Sequence, residues 1–239
     1  MKKFWALLPV AMVASTPAFA QSGPAFTARA EIRAGYDESR TKLELSTTTV
    51  GNVTQIVLAP ATGAQTRRFS ANDISTGFEA GVDGRLGESA VIGVYIGADT
   101  SNIEECRSRV FAPTAADSAC SKLGTSYGAG LRAGVATGDG GMIYVKGGYT
   151  KGKARTSYQN RPLTGQTAGN VVFNVNENLD GYHVGAGFEL NLGKAVYTKL
   201  EYVRTVFDGG YKSVIIEPNN IDVRRNQILF GLGIRFGAM

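Results

Sequence analysis

Apolar and polar residues alternate along most of this chain, most clearly at its end. Ile228, Phe230, Leu232, Ile234 and Phe236 fall on one parity. Arg225, Gln227, Gly231, Gly233 and Arg235 fall on the other, interrupted only by Leu229. A period of two is that of a β-strand, whose successive side chains point to opposite faces. The same alternation predicts eight strands, at about 26–36, 74–86, 90–99, 124–136, 142–152, 180–192, 195–207 and 223–236.

Charge follows the parity. Arg29, Glu31 and Arg33 share a face in the first segment, as do Glu79, Asp83 and Arg85 in the second, opposite Phe26, Ile32, Tyr36, Ile74, Phe78 and Val82. Asp99, Arg132, Lys146, Glu189, Lys199, Glu201, Arg225 and Arg235 likewise keep company with glycine rather than with large apolar residues. An Arg or Lys facing lipid at mid-depth costs about 2–4 kcal/mol. The parity therefore turns the bulky apolar face to hydrocarbon and the charges to an enclosed interior. Lys151, Arg204 and Arg224 depart from this rule. All three fall near the predicted external rim, where lipopolysaccharide phosphates or water would meet them.

The connections alternate as strictly as the side chains. Gly87–Ser89, 137–141 and 193–194 are short, whereas 37–73, 100–123, 153–179 and 208–222 are long. Outer-membrane barrels pair short periplasmic turns with long external loops. The predicted fold is all-β: an eight-stranded antiparallel transmembrane up-and-down β-barrel. The Gly-x-Gly tracts at Gly128, Gly185 and Gly231 recur at like positions of returning strands. No helix is predicted after them, so they do not read as dinucleotide loops.

The first twenty residues read differently. Lys2 and Lys3 precede an apolar stretch from Phe4 to Val13, and Ala18-Phe19-Ala20 is a small-x-small cleavage site. This is the pattern of a secretory signal. The expected organisation is a cleaved signal over 1–20 and one barrel domain over 21–239. Later apolar runs fall short of the roughly 20 residues a membrane helix needs, which leaves the closed barrel as the spanning form. The formal charge of +5 falls to +3 without Lys2 and Lys3. That is too mild for a nucleic-acid partner, and no basic cluster is interleaved with aromatics. Cys106 and Cys120 are the only cysteines and predict one disulfide in an exported chain. No metal cluster, phosphate loop or cofactor motif is present.

Eight strands enclose a space only wide enough for side chains to fill. The predicted inward charges are eight positive (Arg29, Arg33, Arg85, Arg132, Lys146, Lys199, Arg225, Arg235) and six negative (Glu31, Glu79, Asp83, Asp99, Glu189, Glu201). Buried charges require partners, so a salt-bridged plug is expected. The alternative is a plug that opens to ions, with Glu79, Arg132, Lys146, Glu189 and Glu201 as its movable members.

With its signal, its eight-strand alternation, the segments Gly181–Gly187 and Lys199–Tyr202 and the closing Leu229–Phe236, the chain resembles the small outer-membrane β-barrel family. That family includes OmpA-type membrane domains, OmpX-like proteins and porin-like surface antigens of α-proteobacteria. The resemblance implies residence in the cell outer membrane, contact with its lipids and lipopolysaccharide, and recognition of a terminal aromatic, here Phe236, by the barrel-assembly machinery. Gly237-Ala238-Met239 follow that aromatic.

Three functions suit such a barrel. The first is a non-enzymatic surface protein that supports the envelope and presents its loops for adhesion to a surface ligand the sequence does not name. Strand-like stretches at Thr41–Val50, Thr54–Leu58 and Val214–Ile216 suit binding by strand addition. The second is a small, weakly conducting porin. The third is a lipid A-modifying enzyme, which needs a His paired with Ser or a carboxylate. His183 is the only histidine, with Ser75 and Ser126 at comparable predicted heights.

Overall fold

The computed structural model describes residues 26–50, 53–57, 65–101, 103–108, 116–137, 140–161, 172–210 and 220–236. The expected signal at 1–20, Val214–Ile216 and Gly237–Met239 lie outside these residues. The described residues form ten strands and no helix. They are β1 (Phe26–Val50), β2 (Val53–Val57), β3 (Gln65–Leu86), β4 (Ala90–Ser101) and β5 (Glu104–Ser108). β6 (Ala116–Thr137), β7 (Gly141–Arg161), β8 (Val172–Asn191), β9 (Val196–Gly210) and β10 (Asn220–Phe236) follow.

Eight of them close a barrel in the order β1-β3-β4-β6-β7-β8-β9-β10, and β10 pairs back onto β1. Every pairing is antiparallel. Closure leaves no open edge in the wall, so each backbone amide there finds a partner without water. The register also sets the lean of the strands. A line of paired residues leaves β1 at Ile32 and passes Phe78, Ala98, Tyr127, Lys151, Asp180, Asp208 and Asp222. It returns to β1 at Lys42, ten residues further along. A shear of that size over eight strands corresponds to a tilt of about 40° and a wall about 16 Å across.

The two faces differ as the alternation requires. Ile32, Phe78, Ile96, Leu131, Ile143, Leu200 and Phe230 stand exposed on the outside. On β1 this apolar face runs from Phe26 to Tyr36, about 25 Å of height at that tilt. Its upper edge is a girdle of Tyr36, Tyr127, Tyr149, Tyr182 and Tyr202. Three of their hydroxyls meet polar side chains on neighbouring strands. Asn72 Nδ2 donates to Tyr36 Oη at 2.8 Å, while Tyr149 donates to Asp180 at 2.5 Å and Tyr202 to Asn226 at 2.9 Å. Amphipathic rings of this kind mark the membrane–water boundary.

Beyond the girdle the strands continue, and here the sequence expectation needs correction. Residues 37–50 and 65–73 belong to β1 and β3, not to a loop, and pair with each other up to Leu45↔Gln65. β6 begins at Ala116, β7 ends at Arg161, and β8 begins at Val172. These segments are rich in Ser, Thr and Asn and lose the apolar parity because no lipid lies beside them. Where a neighbouring strand is also long, as for β1 with β3 and β6 with β7, the hydrogen-bond ladder persists into water. The hairpin expected within 37–73 is present: β1 and β2 pair from Ser46↔Val57 to Val50↔Val53. β5 pairs with β6, and Cys106 and Cys120 face each other there and form a disulfide. On the opposite, periplasmic side the turns are tight. Gly87 (φ 67°) and Gly140 (φ 83°) take left-handed backbone conformations there that suit glycine.

Candidate functional site

The inward-facing residues fill the lumen in layers. Nearest the periplasm, Arg132 holds Asp83 in a fork, with Nε at 2.8 Å and Nη2 at 2.5 Å, and donates through Nη1 to Glu189 at 2.5 Å. Arg235 reaches the other oxygen of Glu189 at 2.5 Å and lies 4.3 Å over the Tyr197 ring. The Tyr197 hydroxyl donates to Glu31 at 2.7 Å. Planar guanidinium groups suit this double duty of forked bonding and ring stacking.

At mid-height two carboxylates gather four more cations. Glu79 accepts from Arg29 at 2.7 Å, Arg33 at 2.6 Å and Lys146 at 2.8 Å. Glu201 accepts from Tyr144 at 2.6 Å and lies 2.8 Å from the Lys146 ammonium and 3.2 Å from that of Lys199. Lys199 is also bonded to Glu31, and Arg33 forks onto Asp99 at 2.8 and 2.7 Å. These side chains are almost wholly removed from solvent, Glu79, Lys199 and Glu201 each at 1 % exposure. A charge so buried is tolerable only when paired and hydrogen-bonded.

Glycine makes the room. A Cβ at Gly81 would lie 3.0 Å from an Arg29 nitrogen, and one at Gly93 only 2.0 Å from an Asp83 oxygen. The inward alternation of glycine and charge is therefore a packing requirement: the long arms cross where no side chain opposes them.

The next layer is mostly neutral. His183 hydrogen-bonds the Tyr95 hydroxyl at 2.5 Å through Nε2 and Thr150 at 2.6 Å through Nδ1. Arg225 binds both oxygens of Asp37 and donates to Ser126 at 2.8 Å, and Gln227 donates to Ser75 at 3.1 Å. A cavity of about 30 Å³ lies among Arg33, Tyr95, Ser126, His183, Arg225 and Gln227, enough for one or two waters. Above it, Ile103, Leu123, Leu179, Phe207 and Val223 form a buried apolar cluster across the external end.

The network thus holds seven cations (Arg29, Arg33, Arg132, Lys146, Lys199, Arg225, Arg235) and seven carboxylates (Glu31, Asp37, Glu79, Asp83, Asp99, Glu189, Glu201) in ion pairs among the described residues. Arg85 is not among them, contrary to the expectation from parity. It is exposed, near the periplasmic end of β3 and opposite Val91, with no ion pair among the described residues. Asp37 replaces it in the balance. The parity of Arg33 and Gly35 reaches Asp37, one residue beyond the predicted end of the first strand. Tyr197 lies on the inward parity of β9 and was equally legible. The apolar cluster carried no sequence signal, because it lies where the outside is no longer lipid and periodicity is lost.

The sites of chemistry are narrow. Both ring nitrogens of His183 are occupied by Tyr95 and Thr150, and neither Ser75 nor Ser126 hydrogen-bonds it. Glu104, Cys106 and Cys120 lie close enough together to suggest metal ligands, but the two sulfurs are joined to each other. Phe236 ends β10 facing outward at 55 % exposure.

Residues 6–236 match the family described as outer membrane protein beta-barrel domain. The chain belongs to this family. Its apolar belt accordingly sits in the outer membrane, among that membrane's lipids. Comparison with curated proteins returns no match. Several solved structures are similar in shape at low identity. The attachment invasion locus protein Ail of Yersinia pestis is 16 % identical over 87 % of this chain and 98 % of its own, with a TM-score of 0.41. The outer membrane protein OprG of Pseudomonas aeruginosa is 13 % identical over 88 % and 96 %, with a TM-score of 0.39. The outer membrane protease OmpT of Escherichia coli is 11 % identical over 91 % and 99 %, with a TM-score of 0.44.

Proposed function

We propose that this outer-membrane barrel is a sealed, non-enzymatic surface protein that stiffens the envelope and holds a β-rich crown outside it for adhesive contact. The observation that carries the reading is the lumen: seven cations and seven carboxylates cross it in buried ion pairs, under an apolar cluster. A solute path through it requires separating charges whose isolation costs several kcal/mol each. The crown supports the second half of the reading. Wall strands, the β1–β2 hairpin and the disulfide-linked β5–β6 pair form an ordered platform beyond the girdle. The saturated imidazole of His183 argues against acyl-transfer chemistry, which needs a base free to take a proton from a nucleophile. Phe236, as the outward aromatic that ends β10, is the residue we assign to recognition by the assembly machinery.

Planar-bilayer recording on the refolded protein tests the seal. No current steps above background are expected at several hundred millivolts. Steady steps would replace this reading with that of a weakly conducting porin. Mass spectrometry of lipid A from cells with and without the protein is expected to give one spectrum; a shifted acyl or phosphate composition would overturn the non-enzymatic reading.

A further inference from the structure

The luminal cavity of about 30 Å³ is bordered by three cations, Arg33 from β1, Lys146 from β7 and Arg225 from β10, and by one carboxylate, Asp99 from β4. His183 of β8 forms part of its wall and is the only histidine of the chain. It is 5 % exposed. Its two ring nitrogens meet hydroxyls, that of Tyr95 at 2.5 Å and that of Thr150 at 2.6 Å. Gly128 of β6 lies against this group. A Cβ there would stand 3.4 Å from His183 Cε1 and 3.5 Å from the Thr150 hydroxyl. The space beside the ring exists because that position carries no side chain.

Hydrogen-bond direction gives the cavity its chemistry. A neutral imidazole donates from one nitrogen and accepts at the other. One of the two hydroxyls therefore donates to the ring, while the other accepts from it. An imidazolium donates from both nitrogens, so both hydroxyls must accept and both of their hydrogens turn away from the ring. Tyr95 and Thr150 border the cavity. So does Ser126, whose oxygen already accepts from Arg225 at 2.8 Å and whose hydrogen is left to point elsewhere. Protonation of His183 thus turns hydroxyl donors toward the cavity and sets a fourth cation beside it.

The surrounding carboxylates are already committed. Asp99 is forked by Arg33, and Asp37 is held by Arg225. Glu79 takes Arg29, Arg33 and Lys146, while Glu201 takes Tyr144, Lys146 and Lys199. The luminal ion pairs balance at seven and seven, so a proton on His183 is an eighth cation without a partner. An unpaired buried charge is strongly unfavourable. An anion taken up with the proton removes the imbalance. The volume sets its size: room for one or two waters admits a halide ion and excludes phosphate or sulfate.

We propose that the cavity beside His183 is a binding site for one halide ion, taken up together with a proton on the imidazole. Binding there requires no current through the lumen.

The test uses the full, refolded barrel in lipid nanodiscs, without a histidine tag and with isotope-labelled histidine, so that every histidine signal is that of His183. Its ring is titrated by NMR at constant ionic strength in chloride, bromide, sulfate or methanesulfonate. At pH about 5, below the midpoint of an ordinary histidine, the ratio of charged to neutral ring is expected to be at least about tenfold higher in saturating chloride or bromide than in methanesulfonate. Sulfate is expected to match methanesulfonate. G128A places a methyl group in the cavity at ordinary contact distance from its neighbours; it is expected to keep the heat-sensitive gel mobility of a folded barrel and to lose the halide effect. Equal titrations in chloride and methanesulfonate overturn the proposal, because the cavity then holds water only. An equal effect of sulfate also overturns it, since no site of this size would take that ion. A full halide effect in folded G128A overturns the assignment to this cavity. Should G128A not fold, the wild-type anion series decides alone.

Discussion

Glu79 is the carboxylate on which the luminal network turns, and replacing it with glutamine removes a charge at nearly constant volume. Its two oxygens accept from Arg29, Arg33 and Lys146 at 2.6–2.8 Å, with Lys199 3.9 Å away, at 1 % exposure. In E79Q seven cations face six carboxylates. Removing one partner of a buried pair costs about 3–5 kcal/mol, because the surviving charge is left uncompensated. The expected loss is therefore a large part of the roughly 5–15 kcal/mol that holds a domain together. The double variant E79Q/K146M restores the balance, since Lys146 is the 2.8 Å partner lost by that substitution, and Glu201 keeps Tyr144 and Lys199. It is expected to be more stable than the sum of the two single changes by at least about 2 kcal/mol. Urea unfolding in lipid vesicles measures this. The only tryptophan is Trp5, within the expected signal, so far-ultraviolet circular dichroism and gel mobility serve as probes. A loss below about 1 kcal/mol in E79Q, the range of solvent-screened pairs, would refute the dry, closed lumen, as would strict additivity in the double variant.

Two further substitutions probe the wall and the crown. Gly35 faces β10, where an added Cβ would lie 1.9 Å from the Ile228 carbonyl oxygen; G35V is expected to block closure of the β1–β10 seam, seen as loss of the fast-migrating unboiled band. Phe207 is fully buried among Ile103, Leu123, Leu179 and Val223, so F207A is expected to loosen the external end by about 3–5 kcal/mol, read as faster hydrogen exchange in the crown with the membrane-embedded amides still protected.

Legibility in the sequence followed the presence of lipid. Between Phe26 and Tyr36 hydrocarbon on one side and packed charge on the other force a two-residue period, and the parity of Arg29, Glu31 and Arg33 is plain. Above Tyr36 the outside is water, and although Thr41–Val50 reads as strand-like by itself, nothing in the periodicity of 37–40 joins it to the first strand, whereas β1 runs unbroken to Val50. The inward identity of Glu79, Arg132, Glu189 and Glu201 was readable, but their partners were not. Register decides which arm meets which, and the ten-residue shear that fixes register arises from the closed sheet as a whole. Arg204 and Arg224 at the rim were visible as exceptions to parity, but that Arg224 stands opposite Arg40 follows only from the continuation of β1 beyond Tyr36.

The bonds that fill the lumen join residues far apart in the chain. Arg225 holds Asp37 across 188 residues, and Tyr197 reaches Glu31 across 166. All eight wall strands contribute a member. A half-built sheet can form Arg29–Glu79, Arg33–Asp99 and Arg132–Asp83, but it leaves Asp37 without Arg225 and Glu31 without Lys199 and Tyr197, and so still presents bare charge to the bilayer. The ionic latch is complete only when the last strand meets the first.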